Sequence, residues 1–222
     1  MKNALIYCSG LTTRTILDIL KNNNDGSFEG IVGLIDDDLS KLNHSYFGKN
    51  VLGDYSSIES LKRSSNVTSF LLGLGSVKHI RLRELKFEAI KNTGLIPFNC
   101  ISNRSYIASD ATIGAGILIL SFAMIGSGAH IGDNSIITSS VSILENCKVG
   151  NNVHIGSNSF LGGACTVGEN TYIGPGTTVV SGVTIGKNAL IGAGSVVLKD
   201  VPDGSFGYGN PFIIHGINKY YP

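Results

Sequence analysis

Three short stretches carry residues suited to holding a nucleotide: Ser9-Gly10, Asp36-Asp37 and Gly75-Ser76, each directly after an apolar run. Backbone N–H groups at a glycine turn that opens a helix attract phosphate oxygens. A carboxylate at the end of a second strand can accept hydrogen bonds from a ribose or a base. Taken alone, residues 36–38 read equally well as a solvated acidic turn. No G-x-G-x-x-G follows the first run, which disfavours a dinucleotide. Further along, His130 and His154 each stand one residue before a regularly recurring aliphatic residue, so both point away from whatever that row packs into. His44, His79 and His215 lie outside that pattern. The four cysteines (Cys8, Cys100, Cys147, Cys165) have no metal-ligand spacing. They suggest a reducing, cytoplasmic compartment, and Cys147 and Cys165, eighteen apart, read as small core filler with no metal.

The elements that must position these groups fall into two kinds. In the first hundred residues, strands and helices alternate. Residues 4–8 read as a buried parallel strand, and 11–21 as a helix with Thr12 or Thr13 as its N-cap. Residues 30–35 form a second strand, 56–63 a short helix and 68–74 a third strand. Residues 77–91 form a helix with an apolar face of Ile80, Leu82, Leu85, Phe87 and Ile90, closed by Gly94. Residues 95–98 form a fourth strand. This alternation predicts an open parallel sheet with helices on its faces and ligands at the strands' carboxyl ends.

From Ile101 to Val197 an aliphatic residue returns every sixth position, seventeen times without a slip. Neither a helix nor a single strand has that period, so it predicts a repeat architecture. A second row, four residues after the first, is uncharged and mostly small or β-branched; it includes Cys147 and Cys165. The two rows flank one outward residue and make a short strand, and the other three residues turn. Glycine follows the aliphatic residue in ten hexads and is expected to supply the freedom of a corner. Every eighteenth residue from Gly114 to Gly186 is glycine, which predicts three hexads per coil, a triangular prism. Glycine is also uneven, nine of 29 before residue 99, which marks a boundary there. The expected domains are 1–98, 99–200 and a capping tail, 201–222.

Together these halves resemble the hexapeptide-repeat acyltransferases, in particular bacterial enzymes that acetylate nucleotide-linked amino sugars or sialic acids. The resemblance implies a Rossmann-like α/β domain followed by a left-handed parallel β-helix, acetyl-CoA as co-substrate, and a homotrimer with sites between subunits. It implies a nucleotide-sugar site at Ser9, Gly10, Asp36, Asp37, Gly75 and Ser76. The first loop departs from the family's glycine-rich, histidine-bearing form. The family's histidine base and following glutamate are replaced here by Glu145 and Asn146. Either Glu145 serves as base, or the amine enters neutral and needs none, or the protein is not catalytic. His154 matches a family histidine associated with the acyl donor, with His130 a weaker rival. Glu145 at a corner and His154 on the opposite face would need two neighbouring chains to meet one substrate. Gly163, Gly174, Ala193, Lys199 and Asn210 match coenzyme A positions, and Lys187 could also serve its phosphates. In the closing Gly209-Asn210-Pro211 stretch, Phe212 and Ile213 replace the family's alanine and lysine.

A net charge of +1, with no basic stripe, argues against nucleic acid as the main partner. No apolar run is long enough to span a bilayer, and no secretory signal is expected at the N-terminus. The reading is therefore a cytoplasmic N-acetyltransferase of nucleotide-linked amino sugars, serving surface polysaccharide, lipopolysaccharide or O-antigen precursors. A sugar O-acetyltransferase and a non-catalytic nucleotide-sugar-binding trimer are its alternatives.

Overall fold

Strand β1 (Ala4–Tyr7) is buried along its whole length and lies inside a six-stranded sheet. The computed structural model describes residues 3–221. Its contacts divide the chain into Met1–Gly75 with Leu85–Cys100, and Ser76–Glu84 with Ile101–Pro222.

In the first unit, β1 pairs in parallel with β2 (Ile31–Ile35) on one side. The hairpin of β3 (Ser45–Tyr46) and β4 (Lys49–Gly53) continues beyond β2, and the sequence pattern does not announce it. On its other side β1 pairs with β5 (Ser69–Leu72), followed by β6 (Ile96–Pro97). The order therefore reverses at β1, where ligands of such sheets bind. Helix α1 (Leu11–Asn23) buries Ile16, Leu17, Ile19 and Leu20. Its N-cap is Gly10, without a side-chain cap, and neither Thr12 nor Thr13 serves that role. Thr13 instead donates to the Cys8 carbonyl at 2.6 Å, which holds the end of β1 against the helix. Helix α2 (Ile58–Ser65) starts after a 3-10 turn, Tyr55–Ser57, two residues later than expected.

Helix α3 (Ile80–Lys91) buries Ile80, Arg83, Phe87 and Ile90, whereas Leu82 and Leu85 are exposed. The true inward stripe follows i, i+3, i+7 and i+10, with an arginine occupying one of its positions. Gly94 closes the turn after the helix at φ +84°, as expected.

In the second unit seventeen two-residue strands form three parallel sheets, and partners are eighteen residues apart. The first face carries Cys100–Ile101, Leu118–Ile119, Ile136–Ile137, His154–Ile155, Tyr172–Ile173 and Leu190–Ile191. The second carries Tyr106–Ile107, Met124–Ile125, Ser142–Ile143, Phe160–Leu161, Thr178–Val179 and Val196–Val197. The third carries Thr112–Ile113, His130–Ile131, Lys148–Val149, Thr166–Val167 and Thr184–Ile185. The aliphatic row fills the core. Hydroxyls and thiols of the second row donate to corner carbonyls, for example Ser159 to Gly174 at 3.0 Å and Thr171 to Gly186 at 2.7 Å. Cys147 and Cys165 do likewise and remain free thiols.

The corners correct the role expected of glycine. From Ile113 to Ile191, positive φ falls three residues after each aliphatic residue, on Asn134, Asn152, Asn170 and Asn188 at one corner, not on the glycine that follows it. That glycine is needed because a Cβ would meet the next coil: 2.3 Å from the Lys187 nitrogen at Gly168, and 2.5 Å from the Ala193 nitrogen at Gly174. The tail returns as an antiparallel pair, Ser205–Tyr208 with Ile213–Ile217, on the first face, and Phe212 packs against the core. The Tyr221 hydroxyl donates to Glu84. Among the described residues no helix is long and apolar enough to cross a membrane.

Candidate active site

The strand ends of the first unit are knitted together by their own polar groups. Asp36 is buried and accepts from the Ser9 N–H (2.8 Å), the Ser9 hydroxyl (2.6 Å) and Lys41 (3.0 Å) through Oδ2. Its Oδ1 accepts from the Asp38 N–H at 3.0 Å. Burial opposes its charge, but these donors outweigh burial and hold its carboxyl below the usual range. Ser9 and Asp36 therefore clamp two strand ends to each other. Asp37 is more open. It accepts from Lys86 at 2.6 Å, from the Tyr7 hydroxyl, and from the Tyr55 N–H at 3.3 Å. Burial opposes its charge too, and again the donors win and lower its pKa. Lys86 also lies 5.2 Å from the centres of the Tyr7 and Tyr55 rings. Sequence reasoning missed this cluster, because its members are neighbours only in the folded sheet.

Two glycines shape the mouth beside it. A Cβ on Gly73 would lie 2.0 Å from the Thr13 hydroxyl, and one on Gly75 would lie 2.4 Å from that of Thr12. The third strand's loop thus closes on the start of α1. Because Gly10 offers no side-chain cap, the first N–H groups of that helix are left to solvent or to an anion. The structure therefore brings Ser9, Gly10, Asp36 and Asp37 to neighbouring strand ends and sets Gly75 against the helix start. Ser76 belongs to the other unit and caps a turn, accepting from the Lys78 N–H at 3.3 Å. A cavity of about 540 Å³ beside α1, lined by Arg14, Lys21, Phe28 and Phe47, involves none of these predicted residues.

In the second unit, Glu145 is exposed at the corner between the second and third faces. Gly163 stands one coil above it, and a Cβ there would lie 3.5 Å from the Glu145 carboxylate. Ser181 and Lys199 continue the column, so Glu145, Gly163 and Lys199 share one edge of the prism. Gly174 and Ala193 stack on the edge between the first and second faces. The Gly209–Asn210–Pro211 turn also reaches the second face, where Gly209 accepts from the Val196 N–H at 3.0 Å. The expected coenzyme A residues thus border the second face from both sides. Lys187 lies on the remaining edge, away from them.

His154 departs from expectation. It is only 9% exposed, its ring lies 4.9 Å from that of Tyr172, and Arg83 is close enough to disfavour its charged form. Burial first, and Arg83 second, push its pKa down to about 3. Arg83 is itself 2% exposed, and burial lowers its pKa to about 9. It donates to the Asn152 side chain and carbonyl, both at 2.8 Å. No carboxylate pairs with it among the described residues. Asn152 extends an amide ladder to Asn134 and Asn170, each at 2.9 Å. His154 is therefore a ring covered within its own chain, on the face opposite the Glu145 corner. His130 is the opposite case: it is exposed, with Nδ1 2.7 Å from the Thr112 hydroxyl. No group of three potential metal ligands occurs among the described residues.

Comparison with known proteins gives this geometry a context. The bacterial transferase hexapeptide family (six repeats) matches residues 128–163 and 164–199. No curated protein sequence matches the chain. A point mutant of perosamine N-acetyltransferase from Caulobacter crescentus, in complex with CoA and GDP-perosamine, is similar at TM-score 0.89 and 25% identity. That match covers 97% of this chain and 98% of the other. The acetyltransferase domain of PglB from Neisseria gonorrhoeae, in complex with acetyl coenzyme A, is similar at TM-score 0.83 and 22% identity, over 96% and 100% of the two chains. WeeI from Acinetobacter baumannii is similar at 0.84 and 21%, over 96% and 100%. The last two likenesses show the fold alone. The fold is that of the sugar acyltransferases, an α/β domain followed by a left-handed β-helix of hexapeptide repeats.

Proposed function

We propose that this chain, a hexapeptide-repeat acyltransferase by its repeat and its two-part fold, transfers acetyl from acetyl-CoA to the amino group of a nucleoside-diphosphate-linked amino sugar. The observation that carries this reading is the end-to-end likeness to an N-acetyltransferase crystallised with CoA and a GDP-linked amino sugar. In this reading the nucleotide lies at the mouth of the first unit. The helix start at Gly10 and the turn at Gly75 face its phosphates, while Asp37, with Lys86, faces its ribose or base. Acetyl-CoA runs along the second face, between the edge of Gly163 and Lys199 and the edge of Gly174 and Ala193, with Asn210 near its far end. Glu145 holds the acceptor amine.

A homotrimer is part of this reading. Its support is the exposed aromatic surface of Tyr106, Phe122 and Phe160 on and beside the second face, which a neighbouring chain would cover. The product would be an acetamido sugar for surface polysaccharide, such as lipopolysaccharide O-antigen, made in the cytoplasm.

Release of free thiol from acetyl-CoA, measured with UDP-, dTDP- and GDP-linked amino sugars, tests the reading. Turnover that needs both the nucleotide and a free amine is expected. Turnover with sugars lacking the amine would favour O-acetylation, and binding without turnover would favour a non-catalytic role.

A further inference from the structure

One coil below the corner of Glu145, at the start of the third face, stands His130. The turn of residues 126–129, closed by the Ala129 N–H donating to Gly126 at 3.2 Å, lies directly beneath the turn of residues 144–147. A Cβ on Gly126 would be 2.8 Å from the Glu145 nitrogen, and one on Gly128 would be 2.5 Å from the Asn146 side-chain oxygen. His130 is the first residue past the lower turn, and its strand pairs with Lys148, the first residue past the upper one. One coil spacing, about 4.8 Å, therefore separates its level from that of Glu145. Its ring is exposed, and Thr112 holds its Nδ1, which leaves Nε2 facing outward. Beneath Glu145, in the same column, Ser127 donates to Asp110 at 2.7 Å.

We propose that His130 takes the proton of the acceptor amine, while Glu145 holds that amine as an ammonium before reaction. The inference rests on the N-acetyltransferase reading. With Nδ1–H donating to the Thr112 hydroxyl, Nε2 presents a lone pair. Nε2 first takes one proton from the ammonium and passes it to solvent. The neutral amine nitrogen then attacks the thioester carbonyl carbon, and the carbon–sulfur bond breaks. The proton leaving nitrogen passes to Nε2 and then to the departing thiolate, giving amide and free coenzyme A. The covered His154 cannot perform this transfer, and His215 is stacked on Tyr208 with ring centres 4.0 Å apart.

The test is thiol release by the wild type and by His130→Ala, Thr112→Val and Glu145→Gln, each with its melting temperature measured. His130→Ala should lower kcat at least about tenfold. Its KM for acetyl-CoA should stay within about twofold, and added imidazole should restore part of the rate. Thr112→Val should lower kcat less, and Glu145→Gln should mainly raise KM for the amino sugar. A His130→Ala enzyme that is folded, turns over within about twofold of wild type and ignores imidazole overturns the inference. A wild type that turns over no amino sugar overturns the N-acetyltransferase reading instead, and the inference falls with it.

Discussion

The first and third faces of the β-helix each present a histidine one residue before an aliphatic core residue, yet the two imidazoles live in different worlds. His154 on the first face lies under Tyr172 and beside Arg83, while His130 on the third face stands in solvent with Thr112 behind it. The hexad pattern fixes which way each side chain leaves the prism. It carries no information about what lies over that face. The cover of His154 comes from Tyr172, one coil on, and from Arg83, far away in sequence.

The largest expected effect lies on the covered face. Arg83→Ala leaves the Asn152 carbonyl without its buried donor and opens a void, and should cost about 3 kcal/mol in urea unfolding. Arg83→Met refills the space and should cost clearly less. Equal losses would mean that the guanidinium, not its volume, secures this face.

The second effect is a pH dependence. The folded-state pKa of His154, about 3, lies below the value near 6.5 expected of the unfolded chain. Between these values the unfolded chain binds more protons, so stability is full above about pH 6.5 and falls as pH drops toward about 3. His154→Phe should flatten this part of the profile. Arg83→Met should shrink it, because the nearby cation is one of the two causes. An unchanged acid limb in His154→Phe would assign the limb to other groups.

The smallest expected effect lies on the open face. His130→Ala, which loses only an exposed hydrogen bond to Thr112, should change unfolding free energy by no more than about 1 kcal/mol. A loss near that of Arg83→Ala would erase the contrast between the faces.

Much of this molecule is legible in its sequence because it repeats. The sixfold aliphatic row and the eighteen-residue glycine column gave the coil and its three sides. The reason for the glycines was not legible: Gly168 and Gly174 are required by the backbone of the coil above, whereas asparagines such as Asn152 take the left-handed corner conformation. In the α/β unit, the acids after the second strand were readable as strand-end groups. Nothing local distinguished Asp36, saturated by Ser9, Lys41 and Asp38, from Asp37, held by Tyr7 and Lys86. The exposed Leu82 and buried Arg83 reverse what hydrophobicity alone predicts, because Arg83 finds its acceptors on Asn152, sixty-nine residues away.

The central claim, acetyl transfer to nitrogen of a nucleotide-linked amino sugar, is tested most directly with carbonyl-labelled acetyl-CoA. The purified chain is incubated with the label and a nucleoside-diphosphate amino sugar, and the product is read by NMR. The labelled carbonyl should couple to an amide N–H on the sugar, with one acetyl group per nucleotide. A labelled ester on a sugar hydroxyl, or label found only in free acetate or unreacted thioester, would contradict the claim.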